Sequence, residues 1–321
     1  MHVPYAAVFP GQGSQSVGMM TAWGEHQALV DATFVEASQA LAGTALDGVD
    51  LWVMASDGPE SEMNRTEITQ PIMLAAGVAA WRVWQAVEGV EPVCMAGHSL
   101  GEYTALVCAG AMDFSVAVRV VAERGRLMQQ AVPMGTGAMA AVLGLDDAVV
   151  LAVCAEASQG AEVVEAVNFN SPGQVVIAGS TAAVARATPL LQEKGAKRVL
   201  PLPVSVPSHS SLMRDAALQM AKVLENVKIR RPHIPILHNV DAAEHADADA
   251  LRAALVSQLH RPVLWVDSVR AMQARGAQAL VEFGPGKVLA GLSKRIDKAL
   301  AAYPVLDAAS LAQAMQGLKV G

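Results

Sequence analysis

The chain has 321 residues, of which 53% are hydrophobic but only 4% aromatic, and its formal net charge is −7. This length supports one large domain or two unequal ones, and the composition predicts a core of mainly Ala, Val and Leu. The acidic balance and the lack of basic runs interleaved with aromatic residues exclude a nucleic-acid binder. The sequence contains no apolar stretch of membrane-spanning length and no signal-peptide pattern, so we expect a cytoplasmic protein without a membrane partner. Its three cysteines are widely spaced and predict no metal centre.

The first third of the chain alternates between apolar strands and helices. Strands are predicted at Tyr5–Phe9, which ends at Pro10-Gly11-Gln12-Gly13-Ser14-Gln15, and at Val93–Ala96. Helices are predicted at about 27–42, 71–88 and 115–131, with Pro71 in the first turn of the second helix. Such alternation is typical of a mainly parallel sheet with helices on its faces.

The middle of the chain has a different order of elements. Strands are predicted at Gly137–Leu143, Val163–Asn168, Gln174–Ala178 and Lys197–Leu202, and helices at Asp146–Ser158 and Thr181–Glu193. A turn at Asn170-Ser171-Pro172-Gly173 separates the second and third strands. The order strand-helix-strand-strand-helix-strand predicts an inserted ferredoxin-like subdomain over residues 133–203.

The parallel pattern resumes after Ser208. Helices are predicted over 210–226, 248–258 and 264–275, and strands over Ile234–Asn239 and Ala279–Phe283. The predicted fold class is therefore α/β, with a large α/β-hydrolase-like domain made of residues 1–132 and 204–310. Residues 300–321 are rich in Ala and are predicted to form a peripheral segment with a frayed end.

The most informative segment is Gly97-His98-Ser99-Leu100-Gly101, which lies between a predicted strand and a helical pattern. This G-x-S-x-G sequence is typical of a nucleophile elbow, in which a serine occupies a sharp strand-to-helix turn. The glycines would let neighbouring chain pass close by, and the free N–H groups of the helix would favour an oxyanion. We predict that Ser99 is a nucleophile; the alternative is a serine that only caps the helix.

A serine hydroxyl needs a general base, because it is a poor nucleophile at neutral pH. Among eight histidines, His209 is favoured since it follows an apolar strand and lies at the predicted start of a helix, where a charged imidazole is disfavoured. His260 is the second candidate. His98 adjoins the nucleophile, so these two side chains are expected to point in different directions. The alternative for His209 is a loop histidine that helps to cap the helix.

The group that would orient the base is not evident among the acidic residues. Those between the predicted nucleophile and base mostly lie in the predicted subdomain, and none is on an obvious catalytic loop. They include Asp146, Asp147, Glu156, Glu162 and Glu165. A backbone or amide carbonyl therefore remains open for this role.

Arg124 lies in an apolar-flanked helical pattern, next to Glu123 and close to Arg126. A buried arginine is costly without an anionic partner, and its planar guanidinium suits bidentate binding of a carboxylate. The alternative is a solvated arginine on a helix surface.

Several segments together resemble a known family. They are Phe9-Pro10-Gly11-Gln12-Gly13-Ser14-Gln15, Gln70-Pro71, Gly97-His98-Ser99-Leu100-Gly101-Glu102, Arg124-Gly125, Asn168-Phe169-Asn170-Ser171-Pro172-Gly173-Gln174, Val206-Pro207-Ser208-His209 and Gly284-Pro285-Gly286. In this order they closely resemble the malonyl-CoA:acyl carrier protein transacylase family of fatty-acid synthesis. The resemblance extends from about residue 5 to residue 300, and the C-terminal tail resembles the family least.

The resemblance implies that Ser99 attacks the malonyl thioester, with His209 as general base and later general acid. It also implies an oxyanion hole formed by the backbone N–H groups of Gln12 and Leu100, and a pairing of Arg124 with the malonyl carboxylate. The substrates would be malonyl-CoA and the phosphopantetheine thiol of an acyl carrier protein. No cofactor would be needed.

The carbonyl of Gln258 resembles the family's group that orients the histidine, which agrees with the absence of an evident acid. In related polyketide acyltransferases, a leucine at the position of Leu100 tends to accompany selection of malonyl over methylmalonyl groups.

The carrier proteins of such pathways are acidic, so a chain of negative net charge needs a local basic patch to receive one. Two clusters offer such a patch. One comprises Lys287, Lys294, Arg295 and Lys298, and the other comprises Lys194, Lys197 and Arg198. We favour a docking face that includes the subdomain cluster; a solvated charged surface is the alternative.

Other functions share part of this pattern. An α/β-hydrolase esterase or thioesterase has the elbow, but it would need an acidic triad member and would have no use for Arg124. A malonyl transferase serving a polyketide or malonate decarboxylase carrier would use the same residues. A non-catalytic interaction module is disfavoured by the intact Ser99, His209 and Arg124.

Overall fold

The computed structural model describes residues 2–204 and 206–319, and its strands form two separate sheets. The strands are β1 Tyr5–Phe9, β2 Cys94–Gly97, β3 Gly137–Leu143, β4 Val164–Ser171, β5 Gln174–Ser180, β6 Arg198–Pro201, β7 Ile236–Leu237, β8 Ala279–Phe283 and β9 Ala301–Val305. Residue 1 of the predicted large domain, residue 205 in its second segment and residues 320–321 of the predicted frayed end lie outside the described residues.

One sheet is parallel throughout, with the strand order β7-β2-β1-β8-β9. Every residue of β1, β2 and β8 is buried, as is usual for parallel strands that helices cover on both faces. Because the carboxyl ends of parallel strands meet at one edge, the loops that follow Phe9, Gly97 and Leu237 lie side by side. This edge is where the sequence places its predicted site.

The helices are α1 Gln27–Ala40, α2 Leu51–Ser56, α3 Glu60–Met63, α4 Thr66–Ala86, α5 Gly101–Cys108, α6 Phe114–Gln130, α7 Asp147–Ala157, α8 Thr181–Glu193, α9 Arg214–Glu225, α10 Ala248–Gln258, α11 Trp265–Ala274, α12 Val288–Ile296 and α13 Ala308–Gly317. The side chains of Asp50, Ser180, Asp247 and Asp307 accept hydrogen bonds from first-turn N–H groups and so mark the starts of α2, α8, α10 and α13. Periodicity does not predict α2 and α3, because they have only six and four residues.

The second sheet is antiparallel, with the order β4-β5-β3-β6, and α7 and α8 pack against it. Pro172 and Gly173 form the two-residue loop between β4 and β5, with Gly173 at a φ of +71°. A separate apolar cluster that includes Val142, Val150 and Ile177 fills the space under this sheet. The predicted fold class, a parallel α/β domain with a ferredoxin-like unit, is confirmed. We propose residues 133–203 as the bounds of the subdomain.

The prediction that Pro71 lies in a first helical turn is wrong. Helix α4 begins five residues earlier, at Thr66, and Pro71 lies in its interior. Proline removes one helical hydrogen bond and favours a helix start, which explains the prediction. The turn that precedes Pro71 packs closely on α6: a Cβ on Gly125 would lie 2.7 Å from the Cα of Glu67.

The prediction of a peripheral, frayed C-terminal segment is also wrong for the residues described. Strand β9 extends the parallel sheet by pairing with β8, and α13 follows it with an Asp307–Ser310 capping box. Leu311 is buried in the main core, and the predicted domain end at residue 310 falls inside α13. Pro304 argues against a strand in sequence patterns, but β9 is an edge strand, where proline is tolerated.

No helix within residues 2–204 and 206–319 is both long enough and apolar enough to span a bilayer. The three cysteines, Cys94, Cys108 and Cys154, are free thiols and are buried.

Candidate active site

Ser99 lies on a sharp turn between β2 and α5. Its φ is +53°, in the left-handed region that is unfavourable for a residue with a side chain. Glycine is required on both sides of it: a Cβ on Gly97 would lie 1.8 Å from the carbonyl carbon of Gly101, and a Cβ on Gly101 would lie 2.0 Å from the carbonyl oxygen of Phe9. The backbone here therefore has the form of an elbow.

Side chains from distant segments bond both backbone groups of Ser99. Its N–H donates to Asn239 Oδ1 at 2.7 Å, and its carbonyl accepts from Gln258 Nε2 at 2.9 Å. Asn239 Nδ2 also donates to the Gly97 carbonyl at 2.6 Å. Because Asn239 follows β7 and Gln258 ends α10, the strained turn is stabilised by tertiary contacts.

His209 contacts the hydroxyl of Ser99. Its Nε2 lies 2.8 Å from Ser99 Oγ, and its Nδ1 lies 2.6 Å from the backbone carbonyl of Gln258. Because a carbonyl only accepts, Nδ1 carries the proton of the neutral ring and Nε2 can take the proton of the serine. The third position is thus occupied by a carbonyl. Glu165, one of the acidic candidates, instead accepts from the Ser211 N–H at 2.5 Å.

The surroundings of His209 keep its imidazole neutral. The residue is 3% exposed, and burial, together with the nearby Arg124 cation, lowers its pKa to about 3. The sequence predicts a helix N-terminus as the cause, and in the structure the helix begins later than predicted. His209 has a φ of +65°, and α9 begins only at Arg214, after a short 3-10 turn over Ser211–Met213.

Arg124 extends from α6 to the nucleophile and is 1% exposed, so it is not a solvated surface arginine. Its Nη2 donates to Ser99 Oγ at 3.2 Å and to Gln258 Oε1 at 2.9 Å, and its Nη1 donates to Gln70 Oε1 at 2.9 Å. In the described part of the chain, no carboxylate forms an ion pair with Arg124 within 4.0 Å. Burial lowers the pKa of this guanidinium. A buried cation with only neutral partners is suited to an anionic ligand.

The loop after β1 lies against the elbow. A Cβ on Gly11 would lie 2.5 Å from the carbonyl oxygen of His98, so this close approach requires glycine. Gln12 therefore lies in a loop that contacts the turn carrying Ser99 and Leu100. Neither the Gln12 N–H nor the Leu100 N–H donates a hydrogen bond to any residue within 2–204 and 206–319, so both can donate to a ligand.

His98 faces the antiparallel sheet rather than the nucleophile. Its Nε2 lies 2.8 Å from Asn170 Oδ1 of β4, and its ring packs against Trp265 with a centroid separation of 5.5 Å. Burial lowers its pKa. His98 thus connects the segment before Ser99 to the ferredoxin-like unit.

The structure brings together Ser99, His209, Arg124 and Gln258, while the His260 side chain forms no hydrogen bond with any of these four residues. Three further residues carry no functional role in the sequence analysis: Gln70, Glu102 and Asn239. Gln70 and Glu102 lie in segments that carry the family resemblance, and Asn239 lies two residues after a parallel strand, at the edge of the sheet where sites form. Within the described ranges, no three His, Cys, Asp or Glu residues are placed to hold a metal ion.

Comparison with known proteins confirms the predicted family resemblance. Residues 7–313 match the acyl transferase domain family. The chain is 52% identical over 312 residues to the malonyl CoA-acyl carrier protein transacylase of Escherichia coli strain K12, covering 97% of this chain and 99% of that one.

Solved structures agree as well. An acyl carrier protein S-malonyltransferase from Vibrio cholerae has a TM-score of 0.92 and 54% identity, with 97% of this chain and 99% of that one covered. A malonyl-transacylase solved in complex with a type II PKS acyl-carrier protein has a TM-score of 0.94 and 51% identity, with 98% and 99% covered. The chain therefore belongs to the acyltransferase family and, within it, to the malonyl CoA-acyl carrier protein transacylases.

Proposed function

We propose that this chain transfers the malonyl group of malonyl-CoA to the phosphopantetheine thiol of an acyl carrier protein, through an ester on Ser99, and so supplies fatty-acid synthesis. The observation that carries the proposal is the position of Ser99 Oγ, which lies 2.8 Å from His209 Nε2 and 3.2 Å from Arg124 Nη2. The base activates the nucleophile, and the buried cation beside the same oxygen favours an acyl group that bears a free carboxylate.

In the first half-reaction, Ser99 Oγ attacks the thioester carbonyl while His209 Nε2 takes the hydroxyl proton. The N–H groups of Gln12 and Leu100 stabilise the resulting oxyanion, each by about 3–4 kcal/mol in comparable sites. The C–S bond then breaks, and His209 gives the proton to the sulfur of coenzyme A. The carbonyl of Gln258 keeps the imidazole in the same tautomer during both proton transfers.

In the second half-reaction, the carrier thiol attacks the ester on Ser99. His209 Nε2 takes the thiol proton and returns it to Ser99 Oγ as the C–O bond breaks, which leaves a malonyl thioester on the carrier. Two exchanges through one covalent intermediate give ping-pong kinetics. No step needs a cofactor, because the proton and the leaving group are accounted for by the substrates and His209.

Arg124 supplies the selectivity for malonyl groups. Its guanidinium is buried and has two neutral amide oxygens as partners, on Gln70 and Gln258. A malonyl carboxylate would form charge-assisted hydrogen bonds with it in a site that excludes water. An acetyl group offers no such partner. An esterase, by contrast, would gain nothing from a buried arginine at this position.

The carrier protein has a candidate docking face where the two basic clusters of the sequence meet. Lys197 of one cluster and Arg295 of the other line the same cavity of about 370 Å³, together with Asp146 and Ser171. Ser171 directly follows Asn170, whose side chain contacts His98, so the strand that borders this cavity also contacts the segment before Ser99. An acidic carrier would be attracted to these two cations and would present its thiol beside the site.

The test is the intact mass of the purified protein after incubation with malonyl-CoA, with an acyl carrier protein added afterwards. We expect the mass to rise by one malonyl group and to return to its starting value when the carrier is added. A chelator should not change the result. The Ser99→Ala variant should gain no mass, because it lacks the attacking oxygen.

Two outcomes would contradict the proposal. Release of free coenzyme A without a stable adduct or a carrier product would indicate a thioesterase. An adduct on the Ser99→Ala variant would show that another residue is the nucleophile.

A further inference from the structure

A buried carboxylate lies behind the nucleophile and takes no part in the steps above. Glu102 in α5 is fully buried. Its Oε2 accepts hydrogen bonds from the Asn239 N–H and from Gln258 Nε2, each at 3.0 Å, and its Oε1 lies 2.7 Å from His238 Nδ1. Nitrogen atoms therefore approach both oxygens of Glu102, with N–H donors at Oε2 and the His238 ring at Oε1.

The two residues held by Oε2 also contact the reacting groups. Asn239 accepts from the Ser99 N–H, and Gln258 Nε2 donates to the Ser99 carbonyl as well as to Glu102. The other end of the Gln258 amide, Oε1, accepts from Arg124 Nη2. The Glu102 carboxylate thus contacts Asn239 and Gln258, which hold the nucleophile Ser99, and Gln258 also holds Arg124, the residue predicted to bind the substrate carboxylate.

Glu102 determines which way the Gln258 amide faces. A primary amide presents donors at its nitrogen and an acceptor at its oxygen. Because the carboxylate only accepts, Nε2 must face Glu102 and Oε1 must face Arg124. The opposite orientation would place amide N–H groups against the guanidinium and would repel it.

The amide also keeps two buried charges apart. A direct ion pair between Glu102 and Arg124 would occupy the guanidinium donors that a substrate carboxylate needs. With Gln258 between them, Arg124 keeps a neutral partner, and the Glu102 charge still offsets part of the cost of burying the cation. Consistently, Tyr103 and Glu102 oppose the lowering of the Arg124 pKa by burial.

We propose that Glu102 is a positioning residue that controls selectivity for acyl groups bearing a carboxylate, because it orients the Gln258 side chain and thereby leaves Arg124 available to the substrate. This inference rests on the proposed function. It concerns the Gln258 side chain, whereas the Gln258 backbone carbonyl contacts His209.

The test is the Glu102→Gln variant, which keeps the size of the side chain but places an NH₂ group among nitrogen donors. The Gln258 amide can then turn its NH₂ group towards Arg124. We expect kcat/KM for acylation of Ser99 to fall at least about tenfold more with malonyl-CoA than with acetyl-CoA, since one charge-assisted hydrogen bond is misaligned. Intact mass at early times gives both rates.

Two variants serve as controls. Glu282 in β8 is also fully buried and accepts from the N–H groups of Leu289 and Ala290 at 3.1 and 2.8 Å, away from the site. Glu282→Gln should leave the malonyl-to-acetyl ratio unchanged. Asn239→Ala removes a contact to the elbow and a long, 3.5 Å contact to Gln258 Nε2. It leaves the Gln258 amide bonded to Glu102 at 3.0 Å and so still oriented, and it should therefore slow both acyl donors by the same factor.

If thermal unfolding shows that Glu102→Gln does not fold, the Gln258→Met variant tests whether the Gln258 amide controls the malonyl-to-acetyl selectivity. It deletes the amide but keeps the backbone carbonyl, and it should lower the malonyl-to-acetyl ratio as Glu102→Gln does. An unchanged ratio in the folded variants, or an equal loss with both donors, would overturn the role of Glu102. Failure of the unsubstituted protein to form a malonyl ester on Ser99 would instead overturn the proposed function.

Discussion

The region around the parallel sheet and the ferredoxin-like unit differ in how many strained residues and buried polar residues they contain. Non-glycine residues with positive φ in the described chain are Met20, Glu88, Ser99, His209 and Ala242, and none lies within residues 133–203. In that segment the residues with positive φ are glycines, such as Gly144 and Gly173. Its buried polar residues are only Asn170 and Ser171, whereas the larger part of the chain buries Glu102, Arg124, His209, His238 and Glu282.

This difference assigns acylation of Ser99 to the first region and the step with the carrier protein to the second. Ser99 and His209 are both strained, and their side chains meet at 2.8 Å. Such backbone strain persists only where the surroundings determine it, and here polar side chains bond the peptide groups of Ser99. The ferredoxin-like unit instead carries exposed cations on an ordinary apolar core. Substitutions in the first region should therefore affect acylation, and those on the second should affect the carrier step.

The largest expected effect is that of His209→Ala. Removing the general base should lower the rate of Ser99 acylation by about 10²- to 10⁴-fold, because no other described side chain bonds Ser99 Oγ with a group that can take its proton. The rate of coenzyme A release in a single turnover measures this effect. His260→Ala, which removes the second candidate base, should change the rate little; an equal loss in both variants would contradict the assignment.

The next effect is that of Arg124→Ala. Loss of the charge-assisted contacts to the malonyl carboxylate should cost about 3 kcal/mol, or roughly 100-fold in kcat/KM with malonyl-CoA. Acetyl-CoA should be affected little, so the ratio of the two values is the measurement. Arg126→Ala is a matched control on the same helix, because Arg126 pairs with Glu123 near the surface. A similar loss with both acyl donors would show that Arg124 has only a structural role.

A smaller effect is expected at the cavity that Lys197 of the ferredoxin-like unit and Arg295 of α12 line together. Lys197→Glu and Arg295→Glu should each lower kcat/KM for the carrier protein by about three- to tenfold, and less so at high salt, because exposed charges are screened. Acylation by malonyl-CoA alone should not change. Lys228→Glu, at an exposed position outside both clusters, is the control. If neither reversal affects carrier turnover, the docking face lies elsewhere.

The smallest expected change is in the pH profile of acylation. His209 acts when neutral, and its pKa is about 3 instead of the ordinary 6.5. The acylation rate should therefore fall less than about twofold between pH 8 and pH 5.5, where an unshifted histidine would lose about tenfold. Arg124→Ala removes one cause of the shift and should move the acid limb to higher pH. A wild-type midpoint near pH 6.5 would contradict a buried, neutral base.

The same shift affects stability with a defined sign. The unfolded chain takes up a proton on His209 near pH 6.5, whereas the folded chain does so only near pH 3. The unfolded state therefore binds more protons between these values, and the free energy of unfolding should fall as the pH drops below about 6.5. Chemical denaturation of the wild type and the His209→Ala variant at pH 7 and pH 5 would show whether the variant loses this dependence.

Local sequence was sufficient for much of the fold. The predicted bounds of β8 and α10 agree with the structure, because each segment has an apolar pattern with a clear turn or cap at its ends. Local sequence was insufficient for β9, because alanines and Pro304 do not give the pattern of a strand although β9 is an edge strand. It was also insufficient for the start of α4, where the first turn packs against Gly125. Both errors concern segments whose conformation is set by a neighbour distant in the chain.

The sequence by itself determined the turn before Ser99, since a Cβ on Gly97 would clash with Gly101 four residues later. The need for glycine at position 101 is a tertiary one, because its neighbour is the carbonyl oxygen of Phe9. The sequence also indicated His209 as the base, and through the family resemblance it indicated Arg124 beside the serine and the Gln258 carbonyl as the partner of the histidine. Only the tertiary structure decided how they meet. His209 and Gln258 lie 110 and 159 residues from Ser99. His209 follows the last strand of the antiparallel sheet and Gln258 ends α10, so only the packing of these segments on the elbow brings them to Ser99. The contacts of Glu102 likewise depend on tertiary packing, because a buried carboxylate is satisfied only by donors that the fold brings to it.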